Sequence, residues 1–168
     1  MKLSGNDLVA LHGALEAVAN LKGIKFAYGV AKNKSRIETE LKALQAGLTP
    51  SDKYAEYDKK RLALCRTHAA KDEKGAPQTV GRSFVGLEGN EEFQTKVEAL
   101  QKEYKDAIDT HQKLLDEYVA AMKEDVEFKE YIIPLANVPE DITAGQLSGI
   151  IVLIDDSEKE DDKEVPSN

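Results

Sequence analysis

Leu8, Leu11, Leu15 and Val18 recur at spacings of three, four and three residues, which marks a helix with one apolar face. Ser4 is placed to cap that helix, with Asp7 three residues on, and Gly23 to stop it, so a first helix is predicted over 4–21. Phe26, Val30, Asn33, Ile37, Leu41, Leu44 and Leu48 follow at spacings of three and four, predicting a second helix from near Ile24 to the stop at Thr49-Pro50-Ser51. A third, over about 51–70, carries Tyr54, Tyr57, Leu64 and Cys65 with a weaker period. The strongest pattern is the fourth: Phe93, Val97, Leu100, Tyr104, Ile108, His111, Leu115, Tyr118 and Met122 behind an Asn90 cap. Read as one helix of about thirty residues, it extends roughly 45 Å. That length predicts an elongated molecule or a seam covered by a second copy.

Between and after these helices the pattern changes. Asp72 to Pro77 reads as a loop, and Thr79 to Leu87 as a short hairpin or an ordered loop. Val126 to Leu135 reads as one strand, with Pro134 pointing to a sheet edge. Thr143 and Gln146 form a capping box before a short apolar helix with Leu147, Ile150, Ile151 and Ile154. The predicted class is therefore mainly α: an elongated helical hairpin or bundle with a small β element, one domain over 1–154. Residues 155–168 hold seven acids against two lysines, a composition that predicts a disordered acidic tail.

Charge sharpens this picture. Residues 1–87 carry fifteen Lys and Arg against nine Asp and Glu, a net of +6; residues 88–168 carry eight against twenty-two, a net of −14. The formal charge of −8 thus hides a basic half and an acidic half, which points to an anionic partner or to pairing between the halves. Charged residues make up 32% of the chain and Trp is absent, a balance suited to helices with solvated faces. Cys65 is the only thiol, so neither an intrachain disulfide nor a Cys-based metal site is expected. The start lacks the apolar stretch of a signal peptide, and the run Ile150 to Ile154 is too short to span a bilayer, which takes about 20 residues. A soluble intracellular protein with no membrane partner is expected.

Two basic clusters are the candidate ligand-binding residues. From Lys22 to Arg36 there are five basic residues and no acid. Lys25, Tyr28, Lys32 and Arg36 lie on one flank of the second helix, away from its apolar seam. The third helix adds Tyr57, Lys60, Arg61 and Arg66. Cations can hold phosphate and a tyrosine ring can stack on a base, so a shared nucleotide or anion site is one reading. A solvated basic face meeting the acidic half of this or another chain is the other. Duplex DNA is disfavoured by the acidic total. Asn33 in the second seam is expected to set register or oligomer state, with a pocket role as the alternative. His111 is expected to be a hydrogen-bonded core histidine, and Cys65 a half-buried helix residue. His12 and His68 have no metal-ligand spacing to other residues. With no phosphate loop, zinc-protease motif or nucleophile elbow, no catalytic residue, metal ligand or cofactor is assigned.

Lys25-Phe26-Ala27-Tyr28, Val30-Ala31-Lys32-Asn33 and Glu40, followed by Asp72-Glu73-Lys74-Gly75 and the segment Tyr131 to Ile154, resemble a family of small, functionally uncharacterised bacteriophage proteins. The resemblance touches most of 1–154 through short motifs. The long fourth helix and the acidic tail depart from it. It implies phage origin, and so a host-cytoplasm setting, but no residue roles. Three functions follow as expectations. The first is a non-enzymatic phage accessory protein acting by binding, in its sharpest form an anti-defence protein that sequesters a small anionic nucleotide in a basic, Tyr-lined pocket. The second is a structural or assembly protein of the tail-chaperone or scaffold kind, bound to a phage or host protein. The third is an enzyme with a dispersed site. The long seams point to a homo-oligomer.

Overall fold

A computed structural model describes residues 1–157. The class is mainly α with small β pairs, as the periodicity predicts. The helices are α1 (Gly5–Val18), α2 (Ile24–Ala46), α3 (Asp52–His68), α4 (Glu91–Glu103), α5 (Lys105–Ala121) and α6 (Ala144–Ile150). The strands are β1 (Lys2–Ser4), β2 (Thr79–Val80), β3 (Ser83–Phe84), β4 (Asp125–Glu127), β5 (Ile133–Pro134) and β6 (Ile154–Asp155). The chain groups into two compact units. One is Met1–Gln45 with the chain from Ala120 onward; the other is Ala46–Val119.

In the first unit, Ser4 caps α1 with both halves of the capping box: its hydroxyl accepts from Asp7 N at 3.2 Å, and its own N–H donates to Asp7 Oδ2 at 2.9 Å. These bonds from Ser4 hold the Asp7 carboxyl below its ordinary value. Leu8, Leu11, Leu15 and Val18 are buried, as their spacing requires. They meet Phe26, Val30 and Ile37 of α2, and Phe128, Ile133, Ile150 and Leu153 from the far end of the chain. α1 stops at Val18, short of Leu21, and the turn runs through Gly23 at φ +130°, which suits only glycine.

The region 126–135 corrects the single strand expected there. β4 pairs antiparallel with β1, Leu3 opposite Val126, while β5 pairs parallel with β6, Ile133 opposite Ile154. Residues 128–132 between them form a strap, and Phe128 at its start still bonds Met1, its N–H donating to Met1 O and its carbonyl accepting from the Met1 ammonium, both at 2.8 Å. Pairing is set by partners more than a hundred residues apart for β1 and β4, which no local pattern reveals. The last helix is likewise shorter than expected: α6 ends at Ile150, a turn of 3-10 helix covers Ile151–Leu153, and Ile154 enters β6.

In the second unit, Ser51 caps α3, its hydroxyl accepting from Tyr54 N at 3.2 Å. Tyr57, Leu100 and Tyr104 form the core, with Tyr54, Leu64 and Ile108 against them. The segment 79–87 is a hairpin, Thr79 opposite Phe84, turning at Gly81. The single long helix expected over 90–122 is two helices abutting at Tyr104, whose φ of −106° and ψ of 17° leave the helical region. Helical hydrogen bonds continue on either side, Tyr104 N to Leu100 O at 3.1 Å and Ile108 N to Tyr104 O at 3.0 Å. The acidic tail expected over 155–168 falls mostly on 158–168, which lie outside the described residues.

Candidate functional site

The strap 128–132 and α2 build the most distinctive surface of the first unit. Asn33, fully buried, donates from Nδ2 to Tyr131 O at 2.8 Å and accepts at Oδ1 from Tyr131 N at 2.7 Å. Its side-chain amide thus pairs with a backbone amide as a neighbouring strand would. Arg36 Nη1 donates to Lys129 O at 2.7 Å. At Gly29, an added Cβ would sit 2.6 Å from Ile133 Cγ1, so the missing side chain lets the strap lie close. Lys129, Tyr131 and Ile133 therefore run antiparallel along α2 beside Arg36, Asn33 and Gly29. The step is about 5 Å on the helix and about 6.6 Å on the extended strap, close enough to stay in phase over this length. Asn33, expected to set register or oligomer state, instead holds the strap of its own unit through the Tyr131 backbone.

This docking sets Tyr131 edge-on to Tyr28, ring centroids 5.5 Å apart and planes at 79°. Tyr28 remains 56% exposed. Lys25 and Lys32, three residues before and four after it, are exposed on the same flank, and Arg36 and Lys129 continue the line. The first turn of α2 contains no acid, so its backbone dipole and Lys25 have the same sign. Glu130, the acid nearest in sequence, is taken by the Met1 ammonium at 2.8 Å, which lowers its pKa. The result is a half-exposed aromatic ring set among cations.

The four candidates in the second unit have other surroundings. Tyr57 is buried in the core. Lys60 donates to the Tyr104 hydroxyl at 2.5 Å and pairs with Glu56 at 3.0 Å, and the hydroxyl donates onward to Glu56 at 2.8 Å. These bonds raise the Lys60 pKa, and those from Tyr104 and then Lys60 lower that of Glu56. Lys60 pulls the Tyr104 phenol down, but its bond to Glu56 and its desolvation outweigh that and leave it raised. Arg61 is held by Asp58 through Nε at 3.0 Å and Nη2 at 2.7 Å. Arg66 lines an open groove of about 430 Å³ with Tyr54, Asp58 and Lys59.

Three further residues were singled out by the sequence. The ring of His111 stacks on Tyr54 with centroids 3.7 Å apart, and its Nδ1 is buried with no hydrogen-bond partner among the described residues. This corrects the hydrogen-bonded histidine expected there: an aromatic contact takes the place of the bond. Cys65 is buried rather than half-buried. His12 faces Glu38 at 3.2 Å. Among the described residues no three His, Cys, Asp or Glu side chains are grouped to hold a metal ion, and no helix is long and apolar enough to cross a membrane. Tyr131 and Lys129 escaped sequence reasoning because nothing local ties them to α2; the exposed Tyr28 between two lysines was the one visible signal.

Comparison with known proteins finds no matching family model, no matching curated protein and no matching solved structure.

Proposed function

We propose that this chain is a non-enzymatic binding protein whose α2 face takes a small anionic nucleotide. The observation that carries the reading is Tyr28: a half-exposed ring between Lys25 and Lys32, backed by Tyr131. Burial does not account for an aromatic ring so placed, and a stacking platform flanked by cations suits a base with its phosphate. The resemblance to small phage proteins supplies the setting, an accessory protein that withholds such a nucleotide from a host defence response in the host cytoplasm.

The test is a thermal-shift panel of linear and cyclic nucleotides, at low salt and at about 0.3 M salt, where non-specific attraction is screened. The expected result is stabilisation by one nucleotide class that persists at the higher salt and is lost in Tyr28→Ala and in Lys32→Gln. No shift with any nucleotide, or a shift both variants retain, overturns the reading.

A second reading is an assembly protein or homo-oligomer, favoured by α5. Its apolar residues segregate to one side, yet none of its residues is buried and Val119 is 51% exposed. Capture of one virion protein from infected cells, lost when Val119 and Leu115 become Ser, would favour this reading; a monomer that captures none would dismiss it.

A further inference from the structure

We infer that the α2 face selects a nucleotide carrying two separate phosphates, one on the 3′ and one on the 5′ oxygen of its sugar. The inference rests on the nucleotide reading above and narrows it. Cations stand on both sides of the Tyr28 ring and not in one cluster. Lys25 lies three residues before it and Lys32 four after, so both share its flank, one turn to either side. Along the helix the two lysines are about 10 Å apart, with the ring between them. Both are exposed, and neither joins a carboxylate among the described residues, whereas Lys34 of the same helix is held by Glu16 at 2.5 Å. Arg36, next along the flank, has its Nη1 engaged by the Lys129 carbonyl at 2.7 Å. The α2 cations left for a ligand at the ring are therefore Lys25 and Lys32.

A nucleoside 5′-triphosphate places all its charge on one side of the base. On this face it satisfies one lysine and leaves the other beside the sugar. A nucleoside 3′,5′-bisphosphate divides a comparable charge, about −1.5 to −2 per phosphate, between the two. A 3′,5′-linked cyclic dinucleotide has the same chemistry, with phosphate at both oxygens of each sugar. The two sides are not equal. Lys25 sits in the first turn of α2, where the helix dipole adds to its charge, and Lys32 lies two turns further on. A lone phosphate chain therefore settles at Lys25, and Lys32 reads the second phosphate. Ile24, 91% exposed one turn before Tyr28, extends the platform without a carboxylate to repel phosphate.

The experiment is titration calorimetry at about 0.15 M salt, where non-specific attraction is screened. It compares the 3′,5′-bisphosphates of adenosine and guanosine with ATP, GTP and the two cyclic dinucleotides of the same bases. The parent chain is measured beside Lys25→Gln, Lys32→Gln and Tyr28→Leu. A two-phosphate ligand is expected to bind about three- to tenfold more tightly than the triphosphate of its base. Lys32→Gln should cost that ligand about three- to tenfold and the triphosphate less than about twofold, while Lys25→Gln weakens both. Whichever of the bisphosphate and the cyclic dinucleotide binds more tightly identifies the source of the paired phosphates. A triphosphate that binds as tightly as the best two-phosphate ligand, or a Lys32→Gln loss shared equally by both kinds, overturns the inference. The nucleotide reading then still stands if Tyr28→Leu weakens the triphosphate. If none of these nucleotides binds the parent chain, the nucleotide reading falls and the inference with it.

Discussion

At the scale of single residues, two glycines of the same kind of helix predict opposite outcomes. Gly13 of α1 has open space where a Cβ would go, whereas at Gly29 of α2 a Cβ meets the buried Ile133 side chain. Gly13→Ala is expected to stabilise by about 0.5–1 kcal/mol through helix propensity. Gly29→Ala gains the same and loses more to overpacking, for a net loss of about 1–2 kcal/mol. Urea unfolding of both variants reads the sign directly. Asn33→Ala strands the N–H and the carbonyl of Tyr131 and is expected to cost about 2–4 kcal/mol in the same assay. Of these three residues, only Asn33 was visible as unusual in the sequence, because a polar residue interrupts an apolar seam. Its partner was not visible, since Tyr131 lies ninety-eight positions away.

At the scale of elements, the α1 cap has a pH signature. Asp7 is held below its ordinary 3.8 by Ser4, so the stability it adds is complete above that value and is lost as pH falls through the lower, folded-state value. Asp7→Asn is therefore expected to melt below the parent at neutral pH, and the gap should narrow as pH drops below about 3.8. Melting temperatures measured at a series of pH values check both. In the second unit, Leu100→Ala removes a buried contact between α3 and α4 and is expected to cost about 2–4 kcal/mol by urea unfolding. Helix starts were legible in the sequence at Ser4, Asn90 and Thr143, which each accept the hydrogen bond their position implies, while Ser51, read there as part of the stop of α2, proves to cap α3. The break at Tyr104 was not legible in the spacing, since two successive steps of four also run through Asn33, Ile37 and Leu41 of the unbroken α2. A ring buried against Tyr57, with its hydroxyl drawn between Lys60 and Glu56, is a tertiary fact that periodicity does not carry.

At the scale of the whole molecule, the sequence located most of the helices and half of the candidate face, and missed how the ends of the chain meet. β1 with β4, and β5 with β6, join segments that look unrelated in one dimension. The Lys25–Arg36 stripe was readable from helical spacing, but Lys129 and Tyr131 join it only through the fold. The same closure puts Leu153 and β6 inside the first unit, so a boundary of what its core needs falls after Ile150. Ending it after Ser157 leaves Leu153 and β6 in place, and the melting temperature at high salt is expected to match the parent. Ending it after Ile150 removes the fully buried Leu153 and the partner of β5, a loss of about 2–5 kcal/mol from Leu153 alone. Melting curves of the two truncations, followed by circular dichroism, locate that boundary.

The strap has a consequence for how such a protein can change over evolutionary time. α2 grips it through backbone atoms, the amide of Tyr131 and the carbonyl of Lys129, and through the absence of a side chain at Gly29. The exposed Lys129 side chain is therefore not what holds the strap down, whereas the Tyr131 ring also packs against Tyr28 and the core. Lineages descended from this chain could swap Lys129, and with it the charge of the face, while Gly29 and Asn33 stay fixed.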